Sequence, residues 1–96
     1  MKNFVQKLFA VKHFSVYPNP ATKGKVVNLT VKSKGSYSVQ LMSDNHTLLH
    51  EEKVIVANRN EVKLFHIPSL VNSGAYSIRL VNTQNNKQFS STILVR

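Results

Sequence analysis

The fold class this sequence predicts is an all-β sandwich of roughly seven antiparallel strands, on the strength of three observations. Apolar and polar residues alternate in one short run after another, turn-forming Asn, Asp, Gly and Pro stand between the runs, and 96 residues suffice for one core only. No stretch approaches the ~18 consecutive apolar residues of a membrane-crossing helix.

The first run, Phe14 to Tyr17, ends at Pro18-Asn19-Pro20, because proline lacks an N–H donor and biases its predecessor toward extended geometry. In Lys25 to Val31, residues Val27, Leu29 and Val31 share one face. In Ser36 to Met42 the same holds for Tyr37, Val39 and Leu41. Further strands are expected over Thr47 to Ile55, Glu61 to His66, Ala75 to Asn82 and Lys87 to Val95. Tyr76, Ile78 and Leu80 line the core side of the sixth strand, and Phe89, Ile93 and Val95 that of the seventh. One-sided patterning in four strands implies two packed sheets. The fifth strand is less regular: Val62 and Leu64 share one face while Phe65 and Ile67 lie on the other, so one face carries an apolar patch into solvent. Lys34-Gly35, Ser43 to His46, Ala57 to Asn60 and Thr83 to Asn86 are expected to be hairpin-like connections, since Asn, Asp and Gly tolerate positive φ.

The domain division that follows is a segment 1–13 ahead of a sandwich at 14–96. Phe4, Val5, Leu8 and Phe9 recur at near-helical spacing among Lys2, Lys7 and Lys12, which fits a short basic amphipathic segment or a linker. It does not fit a secretory signal, because Lys7 interrupts the apolar run. Export would require a signal on a longer precursor.

Thirteen Lys and Arg against four Asp and Glu give a net charge of +9, which favours polyanionic partners. With Tyr37 and Tyr76 in phase with the core and the lysines spread through most segments, no specific nucleic-acid partner is expected. Without cysteine there is neither a disulfide nor a thiolate metal site. Glu51 and Glu52 are adjacent on a strand and face opposite ways, and Asp44 and Glu61 sit at turns without an evident partner, so no acid–base pair emerges. His46 and His50 on one strand stand about 13 Å apart, too far for a shared ion. A Gly-x-Ser-x-Gly elbow and a phosphate-cradling loop are both missing, so the expectation is a non-enzyme with no cofactor and no metal.

Three landmarks remain: Phe14-Ser15-Val16-Tyr17-Pro18-Asn19-Pro20, then Ser73-Gly74-Ala75-Tyr76 followed by Ser77-Ile78-Arg79-Leu80, and finally Ile93-Leu94-Val95-Arg96. In that order they resemble the type A C-terminal sorting domain of the type IX secretion system, over about Phe14 to Arg96. The resemblance implies an immunoglobulin-like sandwich that carries an N-terminal cargo from the periplasm through the outer membrane of Bacteroidetes-type bacteria. It further implies removal by a sortase-like peptidase, in or before residues 1–13, with transfer of the cargo to anionic lipopolysaccharide. The recognition residues it implies are Tyr17, Pro18, Asn19 and Pro20 of the opening motif, with Gly74, Tyr76, Val95 and Arg96 of the last hairpin. The translocation machinery and the peptidase are the implied partners, and the destination is the cell surface or medium. Two departures from the family pattern bear on loop geometry. Leu70 to Tyr76 lacks the usual proline, and Asp44-Asn45-His46 stands where a glycine is common.

Each landmark also has a structural reading. The Pro-Asn-Pro run suits a rigid strand exit, Gly74 a turn, and Tyr76 a core ring. The competing function class is an immunoglobulin- or fibronectin-like accessory domain for carbohydrate binding or adhesion, with Phe65 as its exposed aromatic platform. In either class, an uncovered β edge offers a route to pairing with a second copy.

Overall fold

The computed structural model describes residues 13–96, and the basic amphipathic segment expected before them lies outside the described residues apart from His13. Seven strands follow: β1 (Phe14–Tyr17), β2 (Val26–Val31), β3 (Gly35–Met42), β4 (Leu48–Val56), β5 (Glu61–His66), β6 (Gly74–Asn82) and β7 (Gln88–Val95). They form a three-stranded sheet in the order β1-β2-β5 and a four-stranded sheet in the order β4-β3-β6-β7, with every pair antiparallel. The fold is therefore all-β and two-layered, as the alternation predicts.

The inward residues are those the period of two selects. Val27, Leu29, Val31 and Phe65 from the smaller sheet, and Tyr37, Val39, Leu41, Ile78, Leu80, Ile93 and Val95 from the larger, are each at most 4% exposed. Burying one such aliphatic side chain contributes ~1.5–3 kcal/mol, so this shared layer is the main stabilising element of a chain without cross-links.

Two of the four expected hairpins are hairpins. The turns between β3 and β4 and between β6 and β7 join paired neighbours, with positive φ at His46 (65°) and Asn86 (61°). Lys34-Gly35 and Ala57 to Asn60, by contrast, lead from one sheet to the other, because β2 pairs with β5 and β3 with β4. Turn residues mark where the chain reverses, but pairing decides which strands become neighbours. Phe65 also departs from expectation: its side chain is wholly buried, so it is no platform for a sugar. The outward apolar residues of that strand are Val62 and Leu64, each 55% exposed, and Tyr17 on the same sheet is 72% exposed. Glu61 is likewise not solitary: it opens β5, meets Lys63 Nζ at 2.7 Å and accepts the N–H groups of Ala57 and Asn58.

Candidate recognition site

The opening motif and the end of the last strand form one structure. β1 pairs with β2 in the smaller sheet as far as Tyr17, opposite Asn28. After Pro18-Asn19-Pro20 the chain crosses to the other sheet, where Ala21 bridges Val95 in parallel orientation. The first strand thus changes sheets at the prolines, and its second half covers the free edge of β7. Both X-Pro bonds, Tyr17-Pro18 and Asn19-Pro20, are cis.

Asn19 makes this crossing fit. Pro18 and Pro20 have no N–H to offer an edge, so a side chain supplies the missing groups. Asn19 Oδ1 accepts the Leu94 N–H at 2.9 Å, and Asn19 Nδ2 donates to the Thr92 carbonyl at 3.3 Å. The backbone continues the clasp. Ala21 N–H donates to the Leu94 carbonyl at 2.7 Å, Arg96 N–H to the Ala21 carbonyl at 3.0 Å, and Lys23 N–H to the Arg96 carbonyl at 3.2 Å. Ala21 is fully buried under this lattice, where a larger side chain would displace core residues.

Two further segments brace the same end. Gly24, at φ +73°, turns the chain into β2, with its N–H donated to the Ile67 carbonyl at 2.8 Å while Ile67 N–H returns to the Lys25 carbonyl at 2.9 Å. Gly74 pairs with Val95 and Tyr76 with Ile93 across the last hairpin. The Tyr76 hydroxyl donates to the Asn72 carbonyl and ties the loop before β6 to its own strand.

The residues singled out from the sequence therefore sort into three kinds. Pro18, Asn19, Pro20, Gly74 and Arg96 are exposed around the clasp, and Val95 is buried beneath it. Tyr76 is half-buried beside Leu49, Leu70, Val71 and Asn72, in a shallow groove on the flank. Tyr17 turns away onto the outer face of the smaller sheet, in one cross-strand row with Asn28 and Leu64. Cations dominate the neighbourhood of the clasp itself, with Lys23, Lys25 and Arg96 all close to it in the chain.

A second polar cluster escaped sequence reasoning. Glu51 and Glu52 do face opposite ways. Glu51 lies on the outer surface, where Ser38 donates to it, Gln40 donates at 3.1 Å, and Arg79 in turn donates to Gln40 at 2.7 Å. The Ser38 and Gln40 hydrogen bonds hold the Glu51 carboxyl below its ordinary range. Glu52 faces the other way, on the side of Val54 and Val56, at the seam between β4 and β5. Its Oε2 meets His50 Nε2 at 2.8 Å, His66 Nδ1 at 3.2 Å and the His66 N–H at 2.9 Å. Burial pushes the Glu52 carboxyl up, but the hydrogen bonds from the His66 backbone and from both imidazoles outweigh it and leave the group below the usual carboxylate range. The signal available in the sequence was period: Glu52 falls in phase with Val54 and Val56, and an inward-phased carboxylate requires partners. These three residues join the sheets rather than build a reactive centre, and among the described residues no group of His, Asp and Glu is arranged to hold a metal ion.

An antiparallel two-sheet sandwich whose first strand switches sheets to lie parallel to its last strand is an immunoglobulin-like module. The family model for the secretion system C-terminal sorting domain matches residues 15–96, and the chain belongs to that family of type IX sorting domains. Among solved structures it is similar to PorZ, an essential bacterial surface component of the type IX secretion system of Porphyromonas gingivalis. The two share 18% identity with a TM-score of 0.62, over 95% of this chain and 12% of that one. A likeness at that identity speaks to the fold alone, and the chain spans a small part of that protein's length. No curated protein sequence matches this chain. Membership in the family makes the domain a sorting signal, tied to a secreted or surface-exposed protein.

Proposed function

We propose that residues 14–96 direct a cargo that precedes them through the outer membrane by type IX secretion, and that a sortase-like peptidase then separates the two within or before residues 1–13. The observation that carries this reading is the clasp: Asn19 and Ala21 bond to Thr92, Leu94 and Arg96, so two landmarks far apart in the chain become one surface. A folded address has to be a surface that only the folded chain presents, and this one meets that condition. Val95 serves it from beneath as a core residue, which leaves Asn19, Pro20, Leu94 and Arg96 as the groups a translocation partner touches. Anionic lipopolysaccharide enters as the acceptor of the released cargo.

The test is a reporter with its own export signal fused ahead of residues 14–96 in a type IX-competent host. Surface delivery is expected, with a several-fold drop for Arg96→Glu. The exposed Arg96 side chain makes no ion pair with the described residues, so this change leaves the thermal midpoint nearly unaltered. Equal delivery in a strain lacking the translocation machinery would reject the reading.

A further inference from the structure

The opposite end of the sandwich, where β1 begins, has a character that neither the fold nor the sorting role requires. Registers place the end of β2, the starts of β3 and β5, the end of β4 and the β6–β7 turn together there. Lys32, Lys34, Arg59 and Lys87, dispersed along the sequence, are thereby collected at one pole. The acid at this pole is Glu61, and it is already committed to Lys63 and to the Ala57 and Asn58 amides. None of the four cations has a carboxylate within ion-pair distance among the described residues.

Within this pole lies a recess of about 260 Å³, walled by Tyr37 and Phe89 and rimmed by His13, Lys34, Asn82, Asn85 and Lys87. His13 stacks on Phe89 with ring centroids 3.7 Å apart. The two asparagines are oriented by the turn. Asn82 Oδ1 accepts the N–H groups of Gln84 and Asn85, and Asn85 Oδ1 accepts that of Lys87. Their oxygens thus hold the turn, and their NH2 groups make no hydrogen bond among the described residues and remain available as donors. The rim consequently offers two ammonium groups and two amide donors, and no carboxylate lines it.

We propose that this recess binds an anionic sugar, with the Lys34 and Lys87 ammonium groups on its phosphate or carboxylate and the Asn82 and Asn85 amides and Phe89 on its ring. The size decides between a ring and a polymer: the volume sits just below the ~300–1,000 Å³ of drug-sized ligand sites, which suits a single sugar unit. The charge decides between a neutral and an acidic sugar, since two unpaired ammonium groups on one rim repel each other until an anion enters.

The test uses the full chain, 15N-labelled, titrated with glucose 6-phosphate, glucuronate, glucose and inorganic phosphate at fixed ionic strength. Saturable shifts at Gly35, Asn82, Lys87 and Phe89 are expected with the two acidic sugars, at least tenfold weaker binding with inorganic phosphate, and none with glucose. The double change Lys34→Gln and Lys87→Gln should weaken the acidic sugars at least tenfold, while Lys23→Gln with Lys25→Gln at the other pole leaves them unaltered. Inorganic phosphate binding as tightly as glucose 6-phosphate would overturn the sugar assignment. Shifts spread over both poles, reduced equally by either double change, would overturn the site. Lys25, Lys34 and Lys87 are exposed and Lys23 is half-buried, with none of the four side chains in an ion pair among the described residues, so a fold common to all three proteins is expected and is read from the same spectra.

Discussion

Replacing Asn19 by alanine isolates the clasp from the rest of the sandwich. The side chain is exposed and contributes two hydrogen bonds to β7, one accepted from Leu94 N–H at 2.9 Å and one donated to the Thr92 carbonyl at 3.3 Å. A hydrogen bond contributes ~0.5–1.5 kcal/mol net, and at this exposed site water replaces part of what is removed, so the loss is about 1–2 kcal/mol. For a domain of this size that lowers the thermal midpoint by roughly 5–15 °C. The effect should also be local. Hydrogen exchange at the amides of Leu94 and Arg96 should accelerate by about tenfold or more, following ~1.4 kcal/mol per factor of ten, while exchange at Val39 and Leu41 in the centre of the larger sheet changes no more than global stability requires. Asn19→Asp retains the acceptor and loses the donor, and should fall between the two. Circular-dichroism melting and exchange NMR measure both quantities. A midpoint within about 1 °C of the parent, with Leu94 exchange unchanged in Asn19→Ala, would show that the prolines and Ala21 hold the crossing without Asn19.

Two further outcomes test the seam and the core. Because the Glu52 carboxyl is held below its unfolded value, its contribution is present above the unfolded pKa and is lost as pH falls through the lower folded one; Glu52→Gln should therefore flatten the fall in melting temperature on acidification below about pH 4.5, the ordinary value. A melting profile equally steep with and without Glu52 would assign that acid sensitivity elsewhere. Phe65→Ala should cost ~3–5 kcal/mol, enough to leave much of the protein unfolded, whereas the neighbouring Leu64→Lys should change stability by no more than ~0.5 kcal/mol, a contrast that chemical denaturation measures directly.

Most of the sandwich was legible before any coordinates, because strands that bury one face have no freedom in where their apolar residues fall. Expected and observed strand limits differ by a residue at most: Lys25 to Val31 became Val26–Val31, and Ser36 to Met42 became Gly35–Met42. What stayed hidden depends on pairing. The same Asn and Gly turn chemistry precedes β3 and β4, yet only one of those connections is a hairpin, since the choice rests on which sheet each strand joins. Phe65 illustrates the limit within a strand. Alternation separated it from Leu64 but did not say which of the two faced inward, and the registry of Phe65 with Val27 decides it. For the recognition site, the three landmarks were visible as motifs, but nothing local signals that Asn19 reaches across 75 residues to Leu94. The partners of Glu52 stayed hidden for the same reason, as His66 lies on the neighbouring sheet.

The parallel bridge between Ala21 and Val95 also sets the order in which the molecule matures. Residues 19–23 find their partners only after β7 has been synthesised, so a nascent chain lacking that strand keeps both the crossing segment and the β6 edge unsatisfied. Contacts of such long sequence separation form late and slowly. Folding intermediates without β7 should therefore stay pliable, and closure of the β7 edge by residues 19–23 then acts as a stamp that the seventh strand of the sandwich is in place.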